Sequence, residues 1–141
     1  MGKAKSVRKP IIVPPEQGRV YEMGRMRAIF KADCDETADC YSVSEWWLEP
    51  GTRGPGAHTN PEDHVFYVIA GTLSVRTNDD WSHATQGTYV VIPGGALHDF
   101  ENRGPVPAAF ISFTSPGGFE EHMKDIAPAL AAEDLRIKQT V

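Results

Sequence analysis

Short apolar runs, many with polar residues at every second position, recur along the chain. Gly, Pro, Asn and Asp bound them, and these residues punctuate strands. The pattern predicts strands at 19–23, 26–31, 41–48, 57–60, 65–70, 72–76, 88–92, 97–101 and 108–113. Gly71 alone separates two of them and reads as a tight corner. Pro93-Gly94-Gly95 turns the chain between two others. Side chains alternate faces along a strand. His64, Phe66, Val68 and Ala70 therefore share one face, and Val65, Tyr67 and Ile69 share the other. Both faces are apolar, so this segment reads as a central strand. Many short strands framed by glycine and proline suit an all-β sandwich or barrel.

The period changes after Pro116-Gly117-Gly118. Phe119, Met123, Ile126 and Leu130 recur at helical spacing. Pro128 lies inside this stretch and predicts a break, giving two short helices packed on the barrel. The chain of 141 residues is the size of one domain. It divides into an N-terminal tail (1–10), a β-barrel (11–117) and a C-terminal helical segment (118–141).

Composition adds exclusions. The net charge of -5 argues against a nucleic-acid partner. No apolar run approaches the roughly 20 residues of a membrane span. The basic start from Met1 to Pro10 lacks the apolar stretch of a secretory signal, so a cytoplasmic protein is expected. Cys34 and Cys40 lack metal-site spacing and read as two reduced thiols flanking a hairpin loop.

Histidine carries the candidate chemistry. His58 and His64 precede or open one predicted strand, and His98 opens another after the Pro93-Gly94-Gly95 turn. If those strands are neighbours, three imidazoles converge. Imidazole binds Fe, Ni, Cu, Co or Zn, and three with open positions make a catalytic rather than a closed structural site. Asn60 shares a face with His58 if the segment is extended. His83 reads as a loop residue, and His122 as a solvated residue of the C-terminal helix. Glu62 and Asp63 lie close in sequence, with no indication of whether either reaches the cavity.

Gly87, Pro93, Gly95, His98 and Asn102 fill every fixed position of G-x5-P-x-G-x2-H-x3-N. This resembles the second motif of the cupin superfamily of small β-barrels. The first cupin motif, G-x5-H-x-H-x3,4-E-x6-G, is matched in part. Gly51 leads one residue early, His58 matches, Asn60 replaces the second histidine, and His64 replaces the glutamate ahead of Gly71. The segments around residues 18–24, 45–51 and 115–120 resemble single-domain cupins of the quercetin 2,3-dioxygenase-like kind. The resemblance implies a double-stranded β-helix, or jelly-roll barrel. It also implies a divalent metal (Fe, Ni, Mn or Zn) on His58, Asn60, His64 and His98. In quercetinase-type enzymes the motif glutamate is also the base that deprotonates the flavonol, and here a histidine holds its place.

Three functions are compatible with this reading. One is a metal-dependent dioxygenase-like enzyme acting on a small phenolic, enolic or diketone-type substrate. Another is a non-catalytic barrel that binds a small molecule. The third is a metal-assisted isomerase or cyclase. Trp46, Trp47, Phe66 and Phe100 are candidates to wall the pocket, with Phe66, Phe100 and Trp47 taken as the substrate-binding set. Small barrels of this type commonly pair, so a homodimer is expected. Its contacts would come from sheet edges or from the apolar arm at residues 11–15.

Overall fold

A computed structural model of the chain describes residues 7–140, with side chains through Asp134. Among the described residues, nine strands form two antiparallel sheets. They are β1 (Arg19–Met23), β2 (Met26–Ala32), β3 (Ser42–Leu48), β4 (Asp63–Ala70), β5 (Thr72–Thr77), β6 (Asp80–Thr85), β7 (Tyr89–Ile92), β8 (His98–Glu101) and β9 (Ala108–Ser115). The large sheet has the order β1-β2-β3-β9-β4-β7, and the small one β6-β5-β8. A 3-10 turn (Phe119–His122) leads into one helix, α1 (Met123–Thr140).

Period-two patterning builds the core. In β3, Ser42, Ser44, Trp46 and Leu48 are buried, and the residues between them are not. In β4 the buried set is His64, Phe66 and Val68. These faces meet Leu73 and Val75 of β5 and Phe100 of β8 across the barrel. Gly71 carries the chain from the large sheet into the small one. Its φ is +62°, and a Cβ there would stand 2.3 Å from the Pro107 carbonyl oxygen, so only glycine fits.

Most predicted strands are present, with three differences. Residues 57–60 form only an isolated bridge, His58 to His98, because Pro61 keeps the segment from pairing further. β6 was not expected, and His83 lies on it rather than in a loop, 3.2 Å from Ser74 Oγ. Ala84 is the only buried residue of that strand, so it lacks an apolar alternation to read. The C-terminal helix also runs through Pro128 instead of breaking. A proline removes one i→i−4 bond. Met123, Ile126, Ala127 and Leu130 pack on the barrel from both sides of it and hold the helix together.

Cys34 and Cys40 are free thiols. Cys34 sits in a 3-10 turn after β2, where a hydrogen bond to Glu120 pushes its thiol up to about 11. No helix among the described residues is long and apolar enough to cross a membrane.

Candidate metal centre and cavity

His58 and His98 are brought together by backbone pairing. Each donates its N–H to the other's carbonyl at 2.9 Å. Directly paired residues project their side chains to the same face, and here the ring centroids are 4.3 Å apart.

Each ring is then fixed by its own backbone. His58 Nδ1 donates to the Gly56 carbonyl at 2.7 Å, and His98 Nδ1 donates to the Ala96 carbonyl at 3.0 Å. A carbonyl only accepts, so both protons sit on Nδ1 and both Nε2 atoms carry a lone pair, that of His98 facing the Asn60 side-chain amide. A hydrogen bond at one ring nitrogen that frees the other for a cation is the usual arrangement of metal-binding histidine. Asn60 Nδ2 lies 3.4 Å from His98 Nε2. Burial lowers the pKa of His98, which keeps its imidazole in the neutral form a metal requires.

The Gly56 carbonyl that fixes His58 is itself held. Asp99 is buried, and its Oδ1 accepts from Gly56 N–H at 3.2 Å and from Phe100 N–H at 2.8 Å. Desolvation raises the Asp99 pKa above the usual aspartate value. Gly54 lets this loop lie against β8, since a Cβ there would stand 1.6 Å from the Phe100 carbonyl oxygen.

His64 stands further back, its ring centroid 5.7 Å from that of His98. Its Nε2 meets Glu62 Oε1 at 3.2 Å, and both side chains are nearly inaccessible. A carboxylate accepts from Nε2–H and leaves Nδ1 as the basic nitrogen of His64. Burial lowers the His64 pKa, and Glu62 opposes that shift.

The residues thus fit a divalent cation unequally. His58 and His98 are oriented for one. The three histidines are not among the groups whose ligand atoms already lie within 4.8 Å of one another. Two acidic groups that do satisfy that distance are otherwise engaged. In one, Glu120 binds the Cys34 amide and the Ser42 hydroxyl. In the other, Asp33 and Glu36 pair with Arg19.

The histidines open into a cavity of about 530 Å³. Trp46, Phe66, Phe100, Phe110 and Phe119 wall it, and Ser112 adds a hydroxyl. Of the three aromatic residues proposed for substrate, Phe66 and Phe100 are on this wall. Trp47 is not. It lies on the outer face of β3 with Nε1 donating to Glu45 Oε1 at 2.7 Å. Adjacent strand residues take opposite faces, and Trp46 holds the inner one, bonded through Nε1 to Ser44 Oγ at 2.8 Å. Asp99 and Phe110 were not singled out, Phe119 was read only as part of the helical pattern, and Glu62 was left open. Asp99 had a signal in following His98 directly, whereas Glu62 depends on a turn that patterning does not resolve. His122 is exposed, as expected, yet it lines the cavity together with Asp125.

A family model described as a cupin domain matches residues 44–114. The chain belongs to the cupin family. Solved cupin-like structures resemble it in fold. KdgF from Halomonas sp. has a TM-score of 0.69 at 15% identity, covering 80% of this chain and 99% of that one. A predicted oxalate decarboxylase from Thermotoga maritima has a TM-score of 0.67 at 15% identity, covering 75% and 99%. The polyketide cyclase RemF from Streptomyces resistomycificus has a TM-score of 0.66 at 18% identity, covering 76% and 80%. Comparison with curated protein sequences gives no match. The activities named for these neighbours differ, so the shared cupin fold does not select a chemistry.

Proposed function

We propose that this cupin holds a divalent metal (Fe, Ni, Mn or Zn) on His58, His98 and His64, with Asn60 beside them. We propose further that it acts as a dioxygenase-like enzyme on a small phenolic, enolic or diketone-type molecule. The observation that supports this is the pair of backbone-locked imidazoles. Two rings with Nδ1 tied to carbonyls and Nε2 unprotonated at the wall of an aromatic cavity are prepared for a Lewis acid and a flat apolar ligand. A bound metal would supply Lewis-acid polarisation of an enol or phenol oxygen. The chain itself supplies the rest. Phe66, Phe100 and Phe110 exclude water from the ligand faces. His64 would give its one basic nitrogen to the cation, with Glu62 holding the opposite side of the ring.

One observation favours a second reading, a barrel that binds a small molecule without metal. The ligand atoms of the three histidines are not gathered within 4.8 Å. Elemental analysis of tag-free protein beside His64→Ala and His98→Ala separates the two. Near-stoichiometric metal that falls in both variants supports the metal site, and oxygen uptake on phenols, flavonols and diketones then distinguishes oxygenation from isomerisation or cyclisation. No metal after anaerobic reconstitution with iron, nickel, manganese or zinc would overturn the enzyme reading.

We also propose a homodimer built on the outer face of the large sheet. Tyr67, Tyr89, Val91 and Phe113 are all substantially exposed there, and Val65 lies between Val91 and Phe113. Exposed apolar patches of this kind mark association surfaces.

A further inference from the structure

The cavity wall carries polar groups from two parts of the chain, and only one of these sets belongs to the histidine centre. The other is built by the C-terminal segment. Phe119, His122, Asp125, Ile126 and Leu130 all line the cavity from the 3-10 turn and α1. Phe119 meets both sets, its ring centroid 5.0 Å from that of His64 and 5.7 Å from that of His122. Aromatic rings of the barrel line the rest of the cavity. Among the described residues, neither His122 nor Asp125 makes a hydrogen bond or an ion pair, so their polar atoms are unspent.

The segment is also held in place. Met123 is fully buried, and Phe119 nearly so. Glu120 accepts from the Cys34 amide at 3.3 Å and from the Ser42 hydroxyl at 2.5 Å. The Gly118 amide donates to Ser42 Oγ at 3.0 Å. An anchored wall that presents unspent polar groups can discriminate ligands without its own ordering cost.

We infer that His122 and Asp125 are specificity-determining residues of the cavity, selecting aromatic molecules that carry a second hydroxyl beyond the one at the histidine centre. One hydroxyl faces the histidine centre and the other donates to Asp125 or engages the His122 ring. This rests on the reading of the cavity as a ligand site for phenolic molecules. A hydrogen bond to a charged group is strong enough to separate ligands with and without the second hydroxyl by at least about tenfold.

The test is isothermal titration of the full chain with 4,4′-dihydroxybiphenyl and with 4-hydroxybiphenyl. It uses wild type, His122→Ala, Asp125→Asn and His58→Ala, with metal content measured for each. The expected result is a tenfold or larger preference for the dihydroxy ligand in wild type. That preference collapses in His122→Ala or Asp125→Asn, while affinity for the monohydroxy ligand and metal content hold. His58→Ala weakens both ligands alike. A preference that survives in both C-terminal variants overturns the inference. Equal binding of the two ligands by wild type overturns it as well, but leaves the phenolic site standing. Binding of neither ligand by wild type overturns both.

Discussion

Asp99 is the residue whose replacement best tests whether the histidine pair is built from the backbone outward. It does not line the cavity itself, but its Oδ1 holds Gly56 N–H, and the Gly56 carbonyl holds His58 Nδ1. Asp99→Ala removes the acceptor from two amides. Gly56 is exposed and can turn to water, whereas the Phe100 amide lies in a buried stretch. Leaving that one buried donor unpaired costs about 1–3 kcal/mol. The loop bearing Gly56 then loses its tether to β8, and His58 loses its fixed tautomer. Loss of an orienting partner behind a metal-binding histidine lowers affinity by about 10–100-fold, which is about 1.4–2.7 kcal/mol. Asp99→Asn behaves differently, because the amide oxygen still accepts both bonds. Burial holds the Asp99 pKa above its unfolded value, so the ionised form costs stability at neutral pH. The asparagine variant is therefore as stable as wild type or more so at pH 7, and that gain fades as pH falls through the raised folded value toward 3.8. Urea unfolding gives the stability term. Competition with a chelating dye gives metal affinity, and nitrogen NMR of the imidazoles gives the His58 tautomer without any metal. An Asp99→Ala protein that keeps wild-type metal affinity and a uniform Nδ1–H tautomer at His58 would refute the chain of reasoning.

Three further outcomes follow from the geometry. Glu62→Gln keeps an oxygen for His64 Nε2–H but removes the charge behind the ring. His64 then titrates at a still lower pH by NMR and metal affinity falls about 10–100-fold; an unchanged His64 titration would show that the contact does not matter. In metal-stripped protein, burial holds the pKa values of His64 and His98 below 6.5, so the unfolded chain takes up protons first. Stability is then complete above about pH 6.5 and declines as pH falls from there toward the folded values. Urea midpoints that stay flat between pH 7.5 and 5.5 would contradict this. Tyr67→Asp places a charge in the exposed apolar face of the large sheet, where burial of an unpaired carboxylate costs several kcal/mol. Sedimentation equilibrium should show a wild-type dimer reduced to monomer, and a monomeric wild type would end the dimer proposal.

What the sequence made legible follows from which interactions leave a periodic mark. β3 and β4 bury one face each, so their alternation reads directly and places His64 and Phe66 inward. β6 buries only Ala84, and strand pairing alone leaves no pattern. Its one local signal is Asn78-Asp79, with Asn78 at φ +54°, joining Thr77 to Asp80 in a two-residue hairpin. The error over Trp47 has a similar source. Two adjacent tryptophans announce that one of them is inside, and only the register of β3 against β9 decides which. The His58–His98 pair joins residues forty apart in sequence, and its proximity depends on an isolated bridge that propensity does not encode.

The altered first motif acquires a physical meaning in the folded chain. The position where cupins usually carry a glutamate holds His64, and the nearest carboxylate, Glu62, sits two residues earlier. Two residues along an extended strand would return Glu62 to the same face as His64, and the two side chains do meet at 3.2 Å. The negative charge has therefore been kept at the site but set behind an imidazole. A carboxylate in direct contact with a cation neutralises part of its charge. One acting through His64 instead raises the basicity of that ring and leaves the cation facing only neutral ligands. On the proposed metal site, the substitution would leave a more electrophilic cation, which favours loss of the proton from a bound hydroxyl.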